Sequence, residues 1–246
     1  MKIMKPKMIL FDCGGTLISE IKQHNHKGVS ALFSIIESNP DNITESDFEQ
    51  FFFITMKEAR NLAGNNIEIN NCALLKYVLD YFSIKLSLSI EQAEIYILNA
   101  MIDFCQINDA DKMLKSLDML NIRKGIITNV SWSYKALKMM LDSIFPEHQF
   151  EMVISSSEYF FRKPDRHIFE IALRKAQLEP QDVWFVGNEY DADIIGADYA
   201  GMIPVLFSEE SSNSKLCEHN GDIYLNSDYL IISKWSEFTQ ILLSLS

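Results

Sequence analysis

The chain has 246 residues, 48% hydrophobic and 23% charged, a globular composition that excludes a disordered, collagen-like or low-complexity protein. Lys and Arg number 22 against 34 Asp and Glu, for a net charge of −12. A field of that sign repels phosphate backbones and argues against nucleic acid as a partner. At roughly 150 residues per domain, the length fits one large domain or a core with an insert.

Cys13, Cys72, Cys105 and Cys217 are far apart and no two have CxxC spacing. That usage predicts reduced thiols in a cytoplasmic protein. The first apolar stretch, Met8–Phe11, is too short for a signal-peptide core or a membrane span, so no membrane partner is expected.

In chain order, Met8–Cys13 (MILFDC) reads as a buried strand. From about Ile21 to Phe104 only helices are predicted. Thr44 with Asp47 forms a capping-box variant ahead of Phe48, Phe51, Phe52, Thr55, Met56, Ala59 and Leu62, with Gly64 as the stop. Leu74, Tyr77, Val78, Tyr81 and Phe82 mark another helix. Ser89 with Gln92 opens a third, carrying Ala93, Tyr96, Ile97, Ala100, Met101 and Phe104 at i, i+3, i+4 spacing. The Phe51–Phe53 stripe is expected to pack as core rather than cradle a ligand.

After the insert, Met113, Leu114, Leu117 and Leu120 define one face of a helix over Asp111–Leu120. Short apolar runs follow at Gly125–Thr128, Met152–Ile154, Val183–Val186, Ile203–Phe207 and Tyr229–Ile232, with Met139, Met140 and Leu141 as helix core between the first two. Four- to six-residue apolar strands alternating with helices predict an α/β protein: a Rossmann-like, open, mostly parallel sheet with helices on both faces. The expected division is a core of residues 1–20 and 105–246 and a small all-helical domain of residues 21–104.

Residues able to do chemistry stand at the carboxyl ends of these strands. They are Asp12-Cys13-Gly14-Gly15-Thr16, Thr128-Asn129, Lys163-Pro164-Asp165, and Gly187-Asn188-Glu189-Tyr190-Asp191-Ala192-Asp193. Parallel neighbouring strands bring such ends to one crevice. A carboxylate there can accept a phosphoryl group, a lysine and a hydroxyl can hold phosphoryl oxygens, and paired acids can hold Mg2+.

Over essentially its full length the chain resembles the haloacid dehalogenase-like hydrolase superfamily. Asp12–Thr16 is similar to its Asp-x-Asp-Gly-Thr motif, and Thr128 and Lys163 to its second and third motifs. Lys163-Pro164 through Ile168-Phe169 has the KPxxxIF form, and Gly187–Asp193 with Gly196-Ala197 through Ala200-Gly201-Met202 resembles the fourth motif and its tail. The helical insert resembles the small C1 cap. The resemblance implies a Mg2+-dependent phosphatase of a small phosphorylated metabolite. Asp12, Thr128 and Lys163 would be catalytic, Thr128, Asn129 and Lys163 would bind the phosphate, and Asp12, Gly14, Asn188 and Asp193 would bind the metal.

Two positions depart from that pattern. Gly14 replaces the second acid of the first motif, the usual general acid/base, while keeping the backbone carbonyl that touches the metal in the family. Asn188 replaces the first acid of the fourth motif; it keeps an oxygen but brings no charge, and Glu189 beside it could compensate. A missing acid matters least for an anomeric or acyl phosphate, whose leaving group needs no proton.

The 2-haloacid dehalogenase pattern fits less well, because it places Tyr at position 14, Asn at position 190 and Arg near position 42. Phosphonatase-like members carry Ala at position 14 and need a cap lysine, for which Lys22 and Lys27 are the nearby residues. The alternative from another class is a catalytically weak phosphometabolite-binding or regulatory protein on the same fold. Cys13 is expected to point away from the site by strand alternation, His24 and His26 to be polar linker residues, Asp191 to face solvent, and Trp132 and Tyr134 to pack under the cap.

Overall fold

Alternation along the first strand sets the layers. Met8 and Leu10 point to one face of the central sheet and Ile9 and Phe11 to the other, all four fully buried. In the computed structural model, which describes residues 2–208, 216–219, 222–225 and 228–245, this strand lies inside a six-stranded sheet. Its order is 230–232, 203–207, 183–187, 8–11, 123–128, 153–155, and every pairing is parallel. The six apolar runs read from the sequence are these six strands.

Ile9, Phe11, Ile126, Trp184, Val186 and Val205 pack on one face with the helices Ala110–Met119, Tyr134–Ile144 and Trp235–Ser244. Met8, Leu10, Ile127 and Phe185 pack on the other with Arg166–Ala176 and Ile195–Tyr199. Burying each such side chain stabilises the fold by about 1.5–3 kcal/mol. From the Met8–Phe11 strand the chain builds outward on one side, then returns to build on the other. That reversal opens a crevice at the carboxyl ends on both sides of Phe11, which is in register with Ile126 and Val186.

The insert carries α1 (Asn25–Ser34), α2 (Glu45–Ala63), α3 (Asn71–Tyr81) and α4 (Ile90–Met101) around Leu32, Phe48, Leu75, Val78, Leu79, Ile84 and Ala93. Both capping boxes form, at Thr44 with Asp47 and at Ser89 with Gln92, and Gly64 ends α2 at φ 68°. The insert is not all-helical, however. Ile18–Gln23 pairs antiparallel with Ile102–Gln106, and Ile36–Ser38 with Lys85–Leu86. The first ribbon joins the two chain crossings between core and insert, so the sequence boundaries at 20/21 and 104/105 fall inside it. Phe104 accordingly lies on a strand, since α4 stops at Met101.

Helical spacing also overreached at several side chains. Leu62 is 90% exposed, and Phe53 and Met139 are 47% and 48% exposed. Spacing gives the direction of a side chain around its helix, not whether another element covers that place. Phe51 stacks on Tyr81 at 4.4 Å and meets Phe82 at 4.9 Å, so that part of the stripe is packing. A separate antiparallel sheet joins Lys2–Ile3, Asp222–Leu225 and Leu216–His219, which the sequence reading missed. The side chain of Cys217 lies outside the described residues. Among the described residues no helix is long and apolar enough to cross a membrane.

Candidate active site

Asp12 follows the last residue of the Met8–Phe11 strand, and its backbone N–H donates to the Val186 carbonyl at 2.8 Å. That bond fixes the carboxylate over the crevice. The turn after it depends on Gly15, which has φ +74° and lies where a Cβ would come within 2.6 Å of the Asn188 amide. Lys163 reaches in from the segment after the Val153–Ser155 strand. Its Nζ donates to Asp12 Oδ1 and Asp193 Oδ1, each at 2.6 Å, with all three side chains buried. Thr16 Oγ1 donates to Asn188 Oδ1 at 3.0 Å and lies 3.4 Å from Asp12 Oδ2. The backbone N–H of Glu189 holds Asp193 Oδ2 at 2.9 Å.

Burial pushes the Asp12 carboxyl up to about 6; the Lys163 ammonium pulls it down and the Asp193 carboxylate pushes it further up. Burial works to lower the Lys163 ammonium, but Asp12 and Asp193 outweigh it and hold the group above the usual lysine range. The Lys163 ammonium thus lies buried between the side chains of Asp12 and Asp193. The same ammonium lies 5.2 Å from the centre of the Phe185 ring.

A cavity of about 320 Å3 opens over this cluster. Asp12, Gly14, Thr128, Asn129 and Lys163 line it, so residues separated by more than a hundred positions meet in one place. Asn188 and Asp193 do not line it: Asp193 bonds to Lys163 behind it, and Asn188 to Thr16 beside Asp12. Asn129 plays a part the sequence did not foresee: its Oδ1 accepts from the Lys163 N–H at 2.8 Å and its Nδ2 donates to the Lys163 carbonyl at 2.9 Å. Its side chain thus clamps the Lys163 backbone.

The oxygens of Asp12, Asn188 and Asp193, with the backbone carbonyl of Gly14, make a donor set of the hard kind that Mg2+ takes. Asp12 Oδ2 and Asn188 Oδ1 both face Thr16 Oγ1, so two of these donors already converge. Among the described residues no group of three or more His, Cys, Asp or Glu side chains surrounds a common point. Any cation here would rest on two carboxylates, one amide and one carbonyl.

Cys13 is 2% exposed and packs in the core layer with Ile9 and Phe11, and burial raises its thiol well above the usual range. His24 and His26 sit near each other, ring centres 5.9 Å apart, and neither lines the cavity. Asp191 is exposed, and Glu189 is exposed at the cavity rim. Trp132 is half-buried against Phe104, ring centres 5.5 Å apart, whereas Tyr134 faces outward.

The sequence reading missed Glu20, Phe104 and Trp132 as cavity walls, and also the polar joint between insert and core. There the buried Glu68 carboxylate accepts from Arg60 at 2.7 Å, from Ser156 Oγ at 2.7 Å, and from Arg162 beside Lys163. Burial works against that charge, but these donors hold its carboxyl below the ordinary range. A buried carboxylate needs such partners, and no local pattern around Glu68 points to residues about 90 positions away.

An open α/β sheet with a carboxylate after its first strand, a lysine between two acids and an insert over the crevice defines a hydrolase-like architecture. A haloacid dehalogenase-like hydrolase family model matches residues 9–206, and the chain belongs to that family. Among curated relatives, a glyceraldehyde 3-phosphate phosphatase of Methanothermobacter thermautotrophicus is 36% identical over 122 residues, 49% of this chain and 51% of that one. A ribulose-1,5-bisphosphate 5-phosphatase of Halopiger xanaduensis is 30% identical over 105 residues, 42% and 43% of the two chains. The chain thus matches about half the length of these relatives or less. Among solved structures, a 2-haloacid dehalogenase from Pseudomonas syringae has a TM-score of 0.61 at 16% identity, covering 98% of this chain and 100% of that one. A HAD phosphatase from Thermococcus onnurineus has 0.58 at 20% identity, with 96% and 97% covered. At such identities the likeness shows the fold alone.

Proposed function

We propose that this protein is a phosphatase of a small phosphorylated metabolite. The observation that carries the reading is the Lys163 ammonium held 2.6 Å from both Asp12 and Asp193, in a cavity also lined by Thr128. An Asp12 oxygen attacks phosphorus as the bond to the leaving oxygen breaks, giving an aspartyl-phosphate. Lys163, the Thr128 hydroxyl and the Asn129 main chain hold the phosphoryl oxygens as charge shifts onto them. Water then cleaves the aspartyl-phosphate, releasing phosphate and restoring Asp12.

Asp12, the Gly14 carbonyl, Asn188 and Asp193 would hold Mg2+, which would offset the negative charge of the phosphoryl group. Gly14 has no proton to give, so the leaving oxygen takes one from water or leaves as a stable anion. Residues 21–104 would act as the cap over the crevice, and the cytoplasm would be the compartment. The phosphatase names of the curated relatives support this reading of the site. Purified protein assayed on p-nitrophenyl phosphate and a panel of phosphorylated metabolites, with Mg2+ or with chelator, tests it. Mg2+-dependent phosphate release is expected. Stoichiometric binding of phosphometabolites without release would instead favour the weakly catalytic binding protein.

A further inference from the structure

Beside the active-site cavity lies a second one of about 300 Å3, lined mostly by the insert. The two share Glu20 and Trp132 as walls. Leu32, Phe48, Phe52, Met56, Leu75 and Ile97 make the inner cavity largely apolar. Its polar residues are the acids Glu20, Glu49 and Glu94, together with Asn71. Glu94 is already engaged, both its oxygens accepting from the Ser133 N–H at 3.2 Å. The Oδ1 of Asn71 accepts no hydrogen bond but has no accessible surface, so it does not face the open part of the cavity.

Charge narrows the choice of occupant. Among the described residues no Lys, Arg or His lines the inner cavity, and Lys163 is the only cationic one lining the outer cavity, where Asp12 and Asp193 already pair it. A second phosphate or a carboxylate on the leaving group would meet Glu20 and Glu49 with no counter-charge.

We infer that the leaving group is an uncharged or cationic apolar body that passes Trp132 into the insert cavity. The inference rests on the phosphatase reading and goes beyond it, because it separates this protein's substrates from sugar phosphates and bisphosphates.

A series of primary alkyl phosphates from ethyl to octyl tests it. Leaving-group basicity is nearly constant along the series, so length dependence reports burial rather than chemistry. Each methylene accommodated should raise kcat/KM by about three- to fourfold until the cavity is full. Hexyl phosphate should exceed glyceraldehyde 3-phosphate and ribulose 1,5-bisphosphate by at least tenfold. Val29→Trp, whose side chain would enter the inner cavity, should flatten the length dependence.

The same series titrated calorimetrically into Asp12→Asn protein reads binding without turnover. Turnover with no length dependence, or with sugar phosphates preferred, overturns the inference and leaves the phosphatase reading standing. Length-dependent binding without turnover by the wild type keeps the ligand class and sinks the phosphatase reading. Absence of both overturns both.

Discussion

Thr16 Oγ1 donates to Asn188 Oδ1 at 3.0 Å, joining the turn after the first strand to the loop after Val183–Gly187 across 172 positions of sequence. The contact keeps the Asn188 oxygen beside Asp12, where an aspartate would bring a further negative charge. Asp12 and Asp193 now supply two formal charges, and each carboxylate lost weakens a hard-cation site. Asn188→Asp should therefore lower the Mg2+ concentration for half-maximal activity by roughly tenfold or more, and raise activity at limiting Mg2+. Full wild-type activity in excess chelator would overturn the metal assignment.

Asp12→Asn should reduce phosphate release to background while the circular dichroism spectrum stays unchanged. The amide is nearly isosteric with the carboxylate but is a poor nucleophile. A folded variant that keeps most of its activity would rule out Asp12 as the attacking group.

The same substitution changes the dependence of stability on pH. With its carboxyl raised from 3.8 to about 6, native Asp12 retains a proton between those values that the unfolded chain has lost. This group therefore favours the native state most below about pH 4, and its contribution falls as pH rises to about 6, then levels off. In chelator, the stability of Asp12→Asn relative to wild type should rise across that window and then stay flat. Urea midpoints at pH 4, 5, 6 and 7 measure the difference, and a constant difference would contradict the raised carboxyl.

Gly14→Asp should restore a proton donor beside the leaving oxygen. A Cβ at Gly14 meets no heavy atom within 4 Å, and the backbone there does not have the positive φ of Gly15, so the side chain can be added without strain. General acid help is worth roughly 10²–10⁴ in rate where protonation limits. The gain should appear with alkyl phosphates, whose alkoxides are very basic, and be small with p-nitrophenyl or acyl phosphates. Repulsion from Asp12 opposes it unless Mg2+ is bound. Equal changes on both substrates would mean that leaving-group protonation is not limiting.

Gly187→Ala tests how the acid pair is held. A Cβ at Gly187 would lie 2.2 Å from Asp193 Oδ2 and 2.3 Å from its Cγ, so Asp193 must shift and its bond to Lys163 is disturbed. Overpacking of this kind costs about 1–3 kcal/mol. The midpoint of thermal unfolding should fall together with activity. A stable and fully active variant would show that the position of Asp193 is not critical.

The core sheet was legible in the sequence because each of its strands is buried on both faces and must be a short apolar run, as Met8–Phe11 and Val183–Gly187 are. The capping boxes at Thr44 and Ser89 were legible because a helix end satisfies its free N–H groups within three residues. The candidate residues Asp12, Thr128, Lys163 and Asp193 could be named because parallel strands fix where their ends meet.

Only the tertiary structure decided the remainder, since each of those features depends on residues distant in sequence. The ribbon of Ile18–Gln23 with Ile102–Gln106, the turning of Asn129 onto the Lys163 backbone, and the hold of Arg60, Ser156 and Arg162 on Glu68 have no local pattern. The apolar cavity beside Trp132 is likewise a property of helices brought together: their spacing gives the face each one turns inward, while packing decides where that face is left unfilled.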